Sequence, residues 1–367
     1  MAKTKATAKK SPKQRDMKLI VQPDDGGDAL LKGINDARTS VEIMVFRFGH
    51  KEVERALMKA IQRGVAVQAL IAFTNRGGEK VLRDLETRLL DAGATVARTS
   101  NELVRYHGKY MIVDRSSLYV LGFNFTKADI EHSRSFGIVT TDRQMVDEAG
   151  KLFLADCNRQ SYAAECPALV VSPMNARQAL GDFIQGAKKE LAIFDLEVSD
   201  PAMLRILKER VESGVEVRVI GTLKGATFSL PVRASHPHRL HARVIVRDRS
   251  EVFIGSQSLR RVELDLRREL GILVRDAEVA KRVADIFDAD WETAKADGVP
   301  ADKVAKRIAK AVTKSMPPMS EVLESLTSKD GQSVVSDPEN LERIVKDAVK
   351  NAVREAVQEA VAEDPAL

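Results

Sequence analysis

The sequence predicts an α/β protein in which one α/β unit is used twice, in two tandem domains, with a C-terminal helical extension. The first observation is a polar pattern that occurs twice, a histidine, a cation two residues later and an aspartate five residues after that, at 107–114 and 241–248. The second is a longer repeat, in which residues 34–43 match residues 184–193 and the residues beyond keep the same offset. One α/β unit used twice explains both observations.

Hydrophobic periodicity predicts the order helix, strand, helix, strand at the start of each copy. In the first copy an amphipathic helix ends near Ala37, a buried strand follows, a helix runs over 51–63 and a strand over 65–72. His50 directly precedes the second helix and matches Asp200 of the second copy. We therefore expect His50 to begin a helix and not to take part in catalysis.

The polar patterns are predicted to enter strands. β-prone runs at 110–113 and 244–247 join the cation of each pattern to its aspartate, so the histidine and the cation would lie on alternate residues and on one face. Small-residue turns come next, Leu-Gly-Phe-Asn at 121–124 and Gly-Ser-Gln-Ser at 255–258. Each copy therefore gathers an imidazole, a fixed cation and short polar groups in one window.

Composition predicts the parts of the chain that flank and separate the copies. We expect a disordered basic tail over 1–18, a first domain over 19–165, a second over 166–296 and a helical extension over 297–367. The tail carries +6, so the remainder of this +5 chain sums to −1. Such a tail binds phosphate backbones or anionic lipid headgroups, or it only keeps the protein in solution.

Two helices are predicted in the extension, a basic amphipathic one over 301–316 and a last one from Asp337 to about Glu363. The last helix has a narrow stripe of small apolar residues, which indicates packing against the body or a second copy of the chain. A role at a membrane surface is less favoured, because the stripe has no Trp or Phe to anchor it.

Several function classes are disfavoured by the sequence. Cys157 and Cys166 lack the spacing of a metal site or a disulfide framework, so a reducing compartment is expected. No long apolar run or signal peptide is evident, which predicts a protein without a transmembrane segment, cytoplasmic or peripheral at the membrane. His236 and His238 lie close to His241, but a proline-bearing loop accounts for them, and no metal or cofactor is predicted.

The doubled pattern resembles the phospholipase D superfamily. The signature of that superfamily is His-x-Lys, four residues, Asp, six residues, then Gly-Ser-x-Asn, carried twice in one chain or once in a dimerising chain. The resemblance implies two tandem phospholipase D-like α/β/α sandwich domains, related by pseudo-twofold symmetry, whose motifs meet in one cleft. The active site would therefore lie within one chain.

The resemblance also implies a mechanism and roles. One histidine attacks phosphorus to give a phosphohistidine, while the other protonates the leaving alcohol and then activates water or a second alcohol. By the more usual order His107 is the nucleophile and His241 the general acid and base, although the reverse fits the sequence equally well. The remaining expected site residues fall into two groups: Lys109, Arg243, Asn124, Ser256 and Ser258 around the phosphate, and Asp114, Asp248 and Glu269 as structural or orienting carboxylates.

Four departures from the signature suggest reduced or altered activity. Arg243 replaces Lys, Leu121-Gly122 replaces Gly-Ser, Ser258 replaces Asn, and Ser135 stands where the second copy has Glu269. Arginine keeps the charge but is bulkier than lysine. No histidine is lost.

The sequence leaves three functions open. The favoured one is a metal-independent phospholipase D-type phosphodiesterase acting on phospholipids at a membrane surface, by hydrolysis or phosphatidyl transfer. The second is a metal-independent endonuclease, because the turn at 122–128 is similar to that of small bacterial endonucleases of the superfamily. The third is a catalytically weak scaffold. Headgroup preference and oligomeric state are not indicated.

Overall fold

The computed structural model describes residues 17–73, 79–235 and 238–296. The first sixteen residues of the predicted basic tail and both helices predicted after residue 297 lie outside the described residues. None of the helices in the described ranges is both long and apolar enough to cross a bilayer.

The first half of the described chain alternates strands and helices. Its elements are β1 (Met17–Gln22), α1 (Asp28–Asp36), β2 (Ser40–Val45), α2 (Lys51–Gln62), β3 (Ala66–Ile71), α3 (Glu79–Asp91), β4 (Thr95–Arg98), β5 (Arg105–Tyr106), β6 (Tyr110–Val113), β7 (Ser117–Leu121), α4 (Lys127–His132), β8 (Ser133–Thr140) and α5 (Arg143–Asn158).

The second half has nearly the same order. Its elements are β9 (Leu169–Ser172), α6 (Ala176–Gln185), β10 (Glu190–Val198), α7 (Pro201–Glu212), β11 (Glu216–Leu223), β12 (Val232–Ser235), β13 (Arg239–Leu240), β14 (Val244–Arg247), β15 (Glu251–Gly255), α8 (Arg261–Asp265), β16 (Arg267–Val274), α9 (Ala277–Thr293) and β17 (Lys295–Ala296). The elements predicted at the start of each copy are confirmed.

The two halves form two mixed sheets with the same strand order. The first sheet runs β1-β8-β7-β6-β2-β3-β4, and the second runs β9-β16-β15-β14-β10-β11-β12, with β17 added beside β12. Strands β2 and β3 pair in parallel, as do β10 and β11, while the other strands near the centre pair antiparallel. The predicted fold class is therefore confirmed, with each copy of the repeat building one sheet.

The helices divide into an inner and an outer set. One core cluster lies between the two sheets and contains side chains from β6, β8, β14 and β16 together with α5 and α9. The outer face of the first sheet packs on α1, α2 and α3, and that of the second on α6 and α7. Because both sheets share the central cluster, the two predicted domains are halves of one compact unit.

His50 is the N-cap residue of helix α2, as predicted. His50 Nδ1 accepts a hydrogen bond from Val53 N at 3.4 Å, and in the second half the Asp200 carboxylate caps α7 by accepting from Ala202 N and Met203 N at 3.0 and 3.1 Å. Both side chains satisfy amide groups that the first turn of a helix leaves free.

Candidate active site

The histidines and cations of the polar patterns lie just before β6 and β14, not within them. The placement of these residues on the strands was therefore wrong. The reason is that β5 and β13 leave their own sheets and pair in parallel with β16 and β8 of the opposite half. His107 N and Gly108 N donate to Arg268 O at 2.7 and 3.0 Å, and His241 N donates to Arg134 O at 3.0 Å. Each histidine is thus held against a strand of the other half.

The predicted aspartates lie at the far ends of β6 and β14 from the histidines. The Asp114 carboxylate accepts the backbone N–H groups of Arg38, Thr39 and Ser40 at 2.7–3.1 Å. Asp248 makes the same contacts with residues 188–190 at 2.7–3.2 Å. Four strand residues separate each aspartate from its cation, so their Cα atoms are five steps apart, a span of roughly 16 Å. The carboxylates therefore anchor loops at a distance from the histidines.

The His107 ring has two neighbours that fix its orientation. Its Nδ1 lies 2.8 and 2.9 Å from the two carboxylate oxygens of Glu269, which comes from the other half. The Phe46 ring meets it edge to face, with centroids 4.4 Å apart. Burial, followed by the charges of Lys109 and Arg243, holds the His107 pKa well below its ordinary value. The free site therefore contains a neutral imidazole at pH 7.

Lys109 and Glu269 flank this imidazole and titrate near neutrality. Lys109 Nζ donates to His107 O at 2.5 Å and lies within 3.0 Å of both ring nitrogens of His107. Burial lowers the pKa of the Lys109 ammonium to about 7, against the opposing charge of Glu269. Burial likewise raises the pKa of Glu269 to about 7, although Lys109 favours its ionised form. Their charges depend on each other because the two groups share one buried site.

His241 has a different environment from that of His107. Its Nε2 lies 3.3 Å from Arg243 Nη1, and within the described part of the chain its buried Nδ1 has no hydrogen-bond partner. The carboxylate that faces this nitrogen belongs to Asp129, whose Oδ2 lies 3.7 Å from His241 Nδ1. Ser135, the counterpart of Glu269, donates a hydrogen bond from its hydroxyl to the backbone oxygen of His241 at 3.0 Å, and not to the imidazole ring. Burial, then Arg243 and Lys109, lower the pKa of His241 well below its ordinary value.

The turn residues that follow the motifs are fixed by buried carboxylates. Asn124 N and Nδ2 both donate to Asp129 Oδ2, at 2.9 and 2.6 Å, and Ser258 N donates to Glu263 Oε2 at 2.6 Å. Although burial opposes ionisation, the charges of Arg243 and Arg260 lower the pKa of Glu263 to about 2. These carboxylates were missed by sequence reasoning, yet each lies five residues after the turn residue that it holds, which is a detectable repeat.

The missing serine of the first turn has a steric cause. A Cβ atom on Gly122 would lie 2.9 Å from Phe136 O and 3.1 Å from Gly255 O, so the close approach of the two halves leaves no room for a side chain there. Ser256, its counterpart, has its hydroxyl against the backbone of Leu270, with Oγ at 3.2 Å from the N and 3.3 Å from the O. The first turn therefore offers only its backbone and Asn124.

The described residues contain a complete set of groups for phosphoryl chemistry. Two imidazoles are buried beside two cations, Lys109 and Arg243, where the halves meet. The cations can neutralise phosphoryl oxygens, and the imidazoles can attack phosphorus and move protons. The repeat did not reveal Phe46, which contacts the His107 ring, because its second-half counterpart is Leu196.

Comparison with known proteins gives one matching family and two kinds of relative. The family described as cardiolipin synthase, PLD-like domain matches residues 30–157 and 180–291. A mitochondrial cardiolipin hydrolase of Danio rerio is 28% identical over 125 residues, 34% of this chain and 54% of that protein. A polyphosphate kinase of Vibrio vulnificus (strain YJ016) is 23% identical over 286 residues, 70% of this chain and 41% of that protein. The chain thus spans about half the length of these relatives, or less.

Solved structures agree in fold. The polyphosphate kinase of Porphyromonas gingivalis superposes with a TM-score of 0.62 at 18% identity, covering 76% of this chain and 50% of that one. A phosphatidylserine synthase of Haemophilus influenzae Rd KW20 superposes with a TM-score of 0.59 at 12% identity, covering 80% of this chain and 93% of that one. With two matched segments that build two equivalent sheets, the chain belongs to the phospholipase D superfamily, in the family of cardiolipin synthase PLD-like domains.

Proposed function

We propose that this chain is a metal-independent phosphodiesterase that acts on phospholipids through a phosphohistidine intermediate. The observation that carries the proposal is the different environment of the two histidines: among the described residues, His107 Nδ1 is hydrogen-bonded to a carboxylate at 2.8 Å, whereas the carboxylate that faces His241 Nδ1 lies beyond hydrogen-bond distance, at 3.7 Å. A site with one oriented imidazole and one imidazole free to exchange a proton suits a two-step transfer.

His107 is the nucleophile in this proposal. Glu269 accepts the Nδ1–H of His107, which places the lone pair on Nε2. In the free site Lys109 Nζ lies 3.0 Å from that nitrogen, so this ammonium would turn to a phosphoryl oxygen as the substrate binds and Nε2 attacks phosphorus. The burial and positive neighbours that depress the His107 pKa keep that lone pair available at neutral pH. The edge contact with Phe46 further limits rotation of the ring.

His241 acts as the acid and then as the base. The negative charge of a bound phosphodiester opposes the cations that lower the His241 pKa, so binding of the substrate favours the protonated ring. In the first step Nε2 of His107 bonds to phosphorus, the bond from phosphorus to the leaving oxygen breaks, and His241 gives that oxygen its proton. In the second, neutral His241 takes a proton from water or an alcohol, whose oxygen bonds to phosphorus as the P–N bond breaks.

The cations and the turns would hold the phosphate during both steps. Lys109 and Arg243 come from opposite halves and lie beside the two rings, where they would neutralise the non-bridging oxygens. Asn124 and Ser258 lie at the ends of the two turns, which approach each other closely at Gly122 and Gly255, and are held by Asp129 and Glu263. Ser256 would contribute through its backbone, since its hydroxyl contacts Leu270.

Phospholipid is the substrate class that the family and one relative support, since cardiolipin appears in the names of both. Phospholipids and nucleic acids share the phosphodiester group, so the experiment below also includes DNA as a substrate. Both reactions would continue in EDTA.

The experiment compares wild type with His107→Ala in EDTA on cardiolipin and phosphatidylcholine vesicles, plasmid DNA and bis(p-nitrophenyl) phosphate. We expect turnover of vesicles by wild type and its loss in the variant, with unchanged thermal unfolding. DNA cleavage without lipid turnover would assign the chain to the nucleases. No turnover of any probe would favour a scaffold.

A covalent trap distinguishes the two histidines. Nitrophenolate leaves without protonation, so His241→Ala should still form the intermediate from bis(p-nitrophenyl) phosphate but should hydrolyse it slowly. Intact mass spectrometry should then show one nitrophenylphosphoryl adduct on His241→Ala and none on His107→Ala. The opposite pattern would exchange the two roles.

A further inference from the structure

Two arginines and a lysine lie over the Phe46 ring, whose edge contacts His107. The guanidinium carbons of Arg47 and Arg105 lie 5.8 and 5.4 Å from the centroid of this ring, and Lys109 Nζ lies 5.3 Å from it. An aromatic face attracts a cation through the electrons of the ring. Lys109 has a role in the proposed reaction, whereas Arg47 and Arg105 have none. We call these two arginines and Phe46 the Phe46 cluster.

The arginines of the Phe46 cluster are close to the histidines. The ring centroids of Phe46 and His107 are 4.4 Å apart, so neither guanidinium carbon can lie more than about 10 Å from the centre of the His107 ring. Arg47 is exposed and Arg105 is half-buried. After burial and the other cations, the charge of Arg47 also lowers the pKa of His241, so its field extends to the second histidine. Solvent-accessible positive charge therefore lies beside the reacting groups.

The reacting phosphate does not need the charge of these two arginines. Lys109, Arg243 and the protonated His241 would carry three positive charges, against one negative charge on Glu269 and one on the phosphodiester. The groups assigned to the reaction therefore already have a positive charge in excess before the two arginines are counted. A further anionic group on the substrate would complement the charge that the arginines add.

The Phe46 cluster is a feature of the first half. At the three equivalent positions the second half has Leu196, Glu197 and Arg239. The Glu197 carboxylate contacts Lys224 and would repel a phosphate, while Arg239 is bound by Asp129. Leucine, in addition, has no aromatic face for a cation. The positions of the two arginines over an aromatic ring are therefore not a by-product of the internal repeat.

We propose that Arg47 and Arg105 form a subsite for a second phosphate of the substrate, held beside the phosphate that reacts. The proposal rests on the proposed function and specifies the phospholipid: one with two phosphates joined by a glycerol, as in cardiolipin. A guanidinium binds phosphate through paired N–H donors, so the second phosphate gains contacts that a lipid with one phosphate lacks. Phosphatidylcholine has one phosphate and a cationic headgroup, which two arginines would repel.

The test uses two soluble esters that differ only in the second phosphate. The first is glycerol 1-(p-nitrophenyl phosphate), and the second is the same compound with a methyl phosphodiester on the third glycerol carbon. For each protein, kcat/KM for the second ester is divided by kcat/KM for the first. We expect a ratio of about ten or more for wild type, mainly through a lower KM, because the added phosphate binds two guanidinium groups.

Substitution of the arginines should remove this preference. Arg47→Gln/Arg105→Gln should bring the ratio close to one, and Arg47→Gln, at an exposed position that leaves the fold intact, should lower it severalfold. The matched control, Arg205→Gln/Arg282→Gln, removes two exposed charges from α7 and α9 and should keep the wild-type ratio. Equal falls in the cluster variant and in the control would show that only total charge matters, and would overturn the subsite.

Binding of the same two esters to His107→Ala is measured by calorimetry, so the subsite is tested without turnover. Tighter binding of the second ester would support the subsite even if wild type hydrolysed neither ester, a result that would overturn the proposed phosphodiesterase. A wild-type ratio near one with equal binding of both esters would overturn the subsite and leave the phospholipase function in place.

A third ester distinguishes a lipid from a nucleic acid as the source of the second phosphate. Thymidine 5′-(p-nitrophenyl phosphate) with a methyl phosphodiester on its 3′ oxygen carries the two phosphates on a deoxyribose. We expect the glycerol ester to have the higher kcat/KM. A higher value for the thymidine ester, with cleavage of plasmid DNA and no turnover of cardiolipin vesicles, would overturn the lipid substrate and the proposed phospholipase function.

Discussion

His107 and His241 occupy equivalent positions of the repeat but have different neighbours. A carboxylate and an aromatic edge hold the first ring, while the second has an arginine on Nε2. The difference arises at two residues, Glu269 and Ser135, which lie at equivalent places on β16 and β8. Glu269 contacts His107 and Ser135 contacts His241, so each residue acts on the histidine of the other half. The sequence therefore indicated Glu269 as an orienting carboxylate but did not show that the ring it orients is that of His107.

Removal of the Glu269 carboxylate should impair catalysis more than binding. In Glu269→Gln the amide can no longer enforce one tautomer of His107, so we expect kcat for bis(p-nitrophenyl) phosphate to fall by about 100-fold. KM should change little, because Lys109 and Arg243 remain. Glu269→Asp should recover part of kcat. A fall in thermal stability with kcat intact would show that Glu269 serves only the fold.

The pH dependence of kcat/KM should have its maximum near pH 7. Below that pH Glu269 becomes protonated and no longer holds His107, since burial raises its pKa to about 7. Above it Lys109 loses its proton and the charge that attracts phosphate, since burial lowers its pKa to about 7. The profile on a soluble diester therefore has one acidic and one alkaline limb.

Arg243→Lys should preserve activity at pH 6 and steepen the alkaline limb. A guanidinium keeps its proton throughout this range, whereas a lysine among the same neighbours can lose its own. The variant therefore has two titrating cations in place of one. An unchanged alkaline limb would show that Arg243 does not contact the phosphate.

At the scale of elements, two carboxylates join loops to strands. Asp114 connects the start of β2 to the end of β6, and Asp248 does the same for β10 and β14. Although burial opposes ionisation, the backbone N–H groups lower the pKa of both carboxylates. These contacts need the charged form, so they weaken as acid protonates it.

Asp248→Ala should destabilise the protein without removing its catalytic groups. The loss of charge-assisted hydrogen bonds to residues 188–190 is expected to lower the free energy of unfolding by about 1–3 kcal/mol at pH 7. The folded pKa is lowered, so this contribution is fully present above the unfolded pKa of about 3.9 and is lost as the pH falls from there through the folded pKa. Urea unfolding of wild type and variant at pH 7 and pH 3 should show a gap that narrows in acid. Lost turnover at unchanged stability would instead place Asp248 near the substrate.

The sequence predicted the main elements well and the motif strands less well. Periodicity located α2 and β3 because each buries one regular face. It did not reveal β5 and β13, which are two residues long and pair with the opposite half, so the histidines were assigned to the wrong element. Phe46 was also hidden, since its contact with His107 joins residues distant in the chain.

For the whole molecule, the central core makes the two halves dependent on each other. Residues 1–165 and 166–367, expressed separately, should each expose the apolar face that now packs between the sheets, and should be inactive or aggregate. Co-expression should restore activity, since the first half then regains Glu269 for His107. Full activity of residues 1–165 alone would contradict this, because a symmetric pair of first halves contains Ser135 at both orienting positions.

The crossing of β5 and β13 between the sheets also has an evolutionary consequence. A mutation at position 269 is inherited with the second copy of the repeat, but natural selection acts on it through the histidine of the first copy. The two copies therefore could not drift apart independently after duplication. Gene conversion of one copy by the other would give both histidines a carboxylate or neither, and would erase the difference between the two rings.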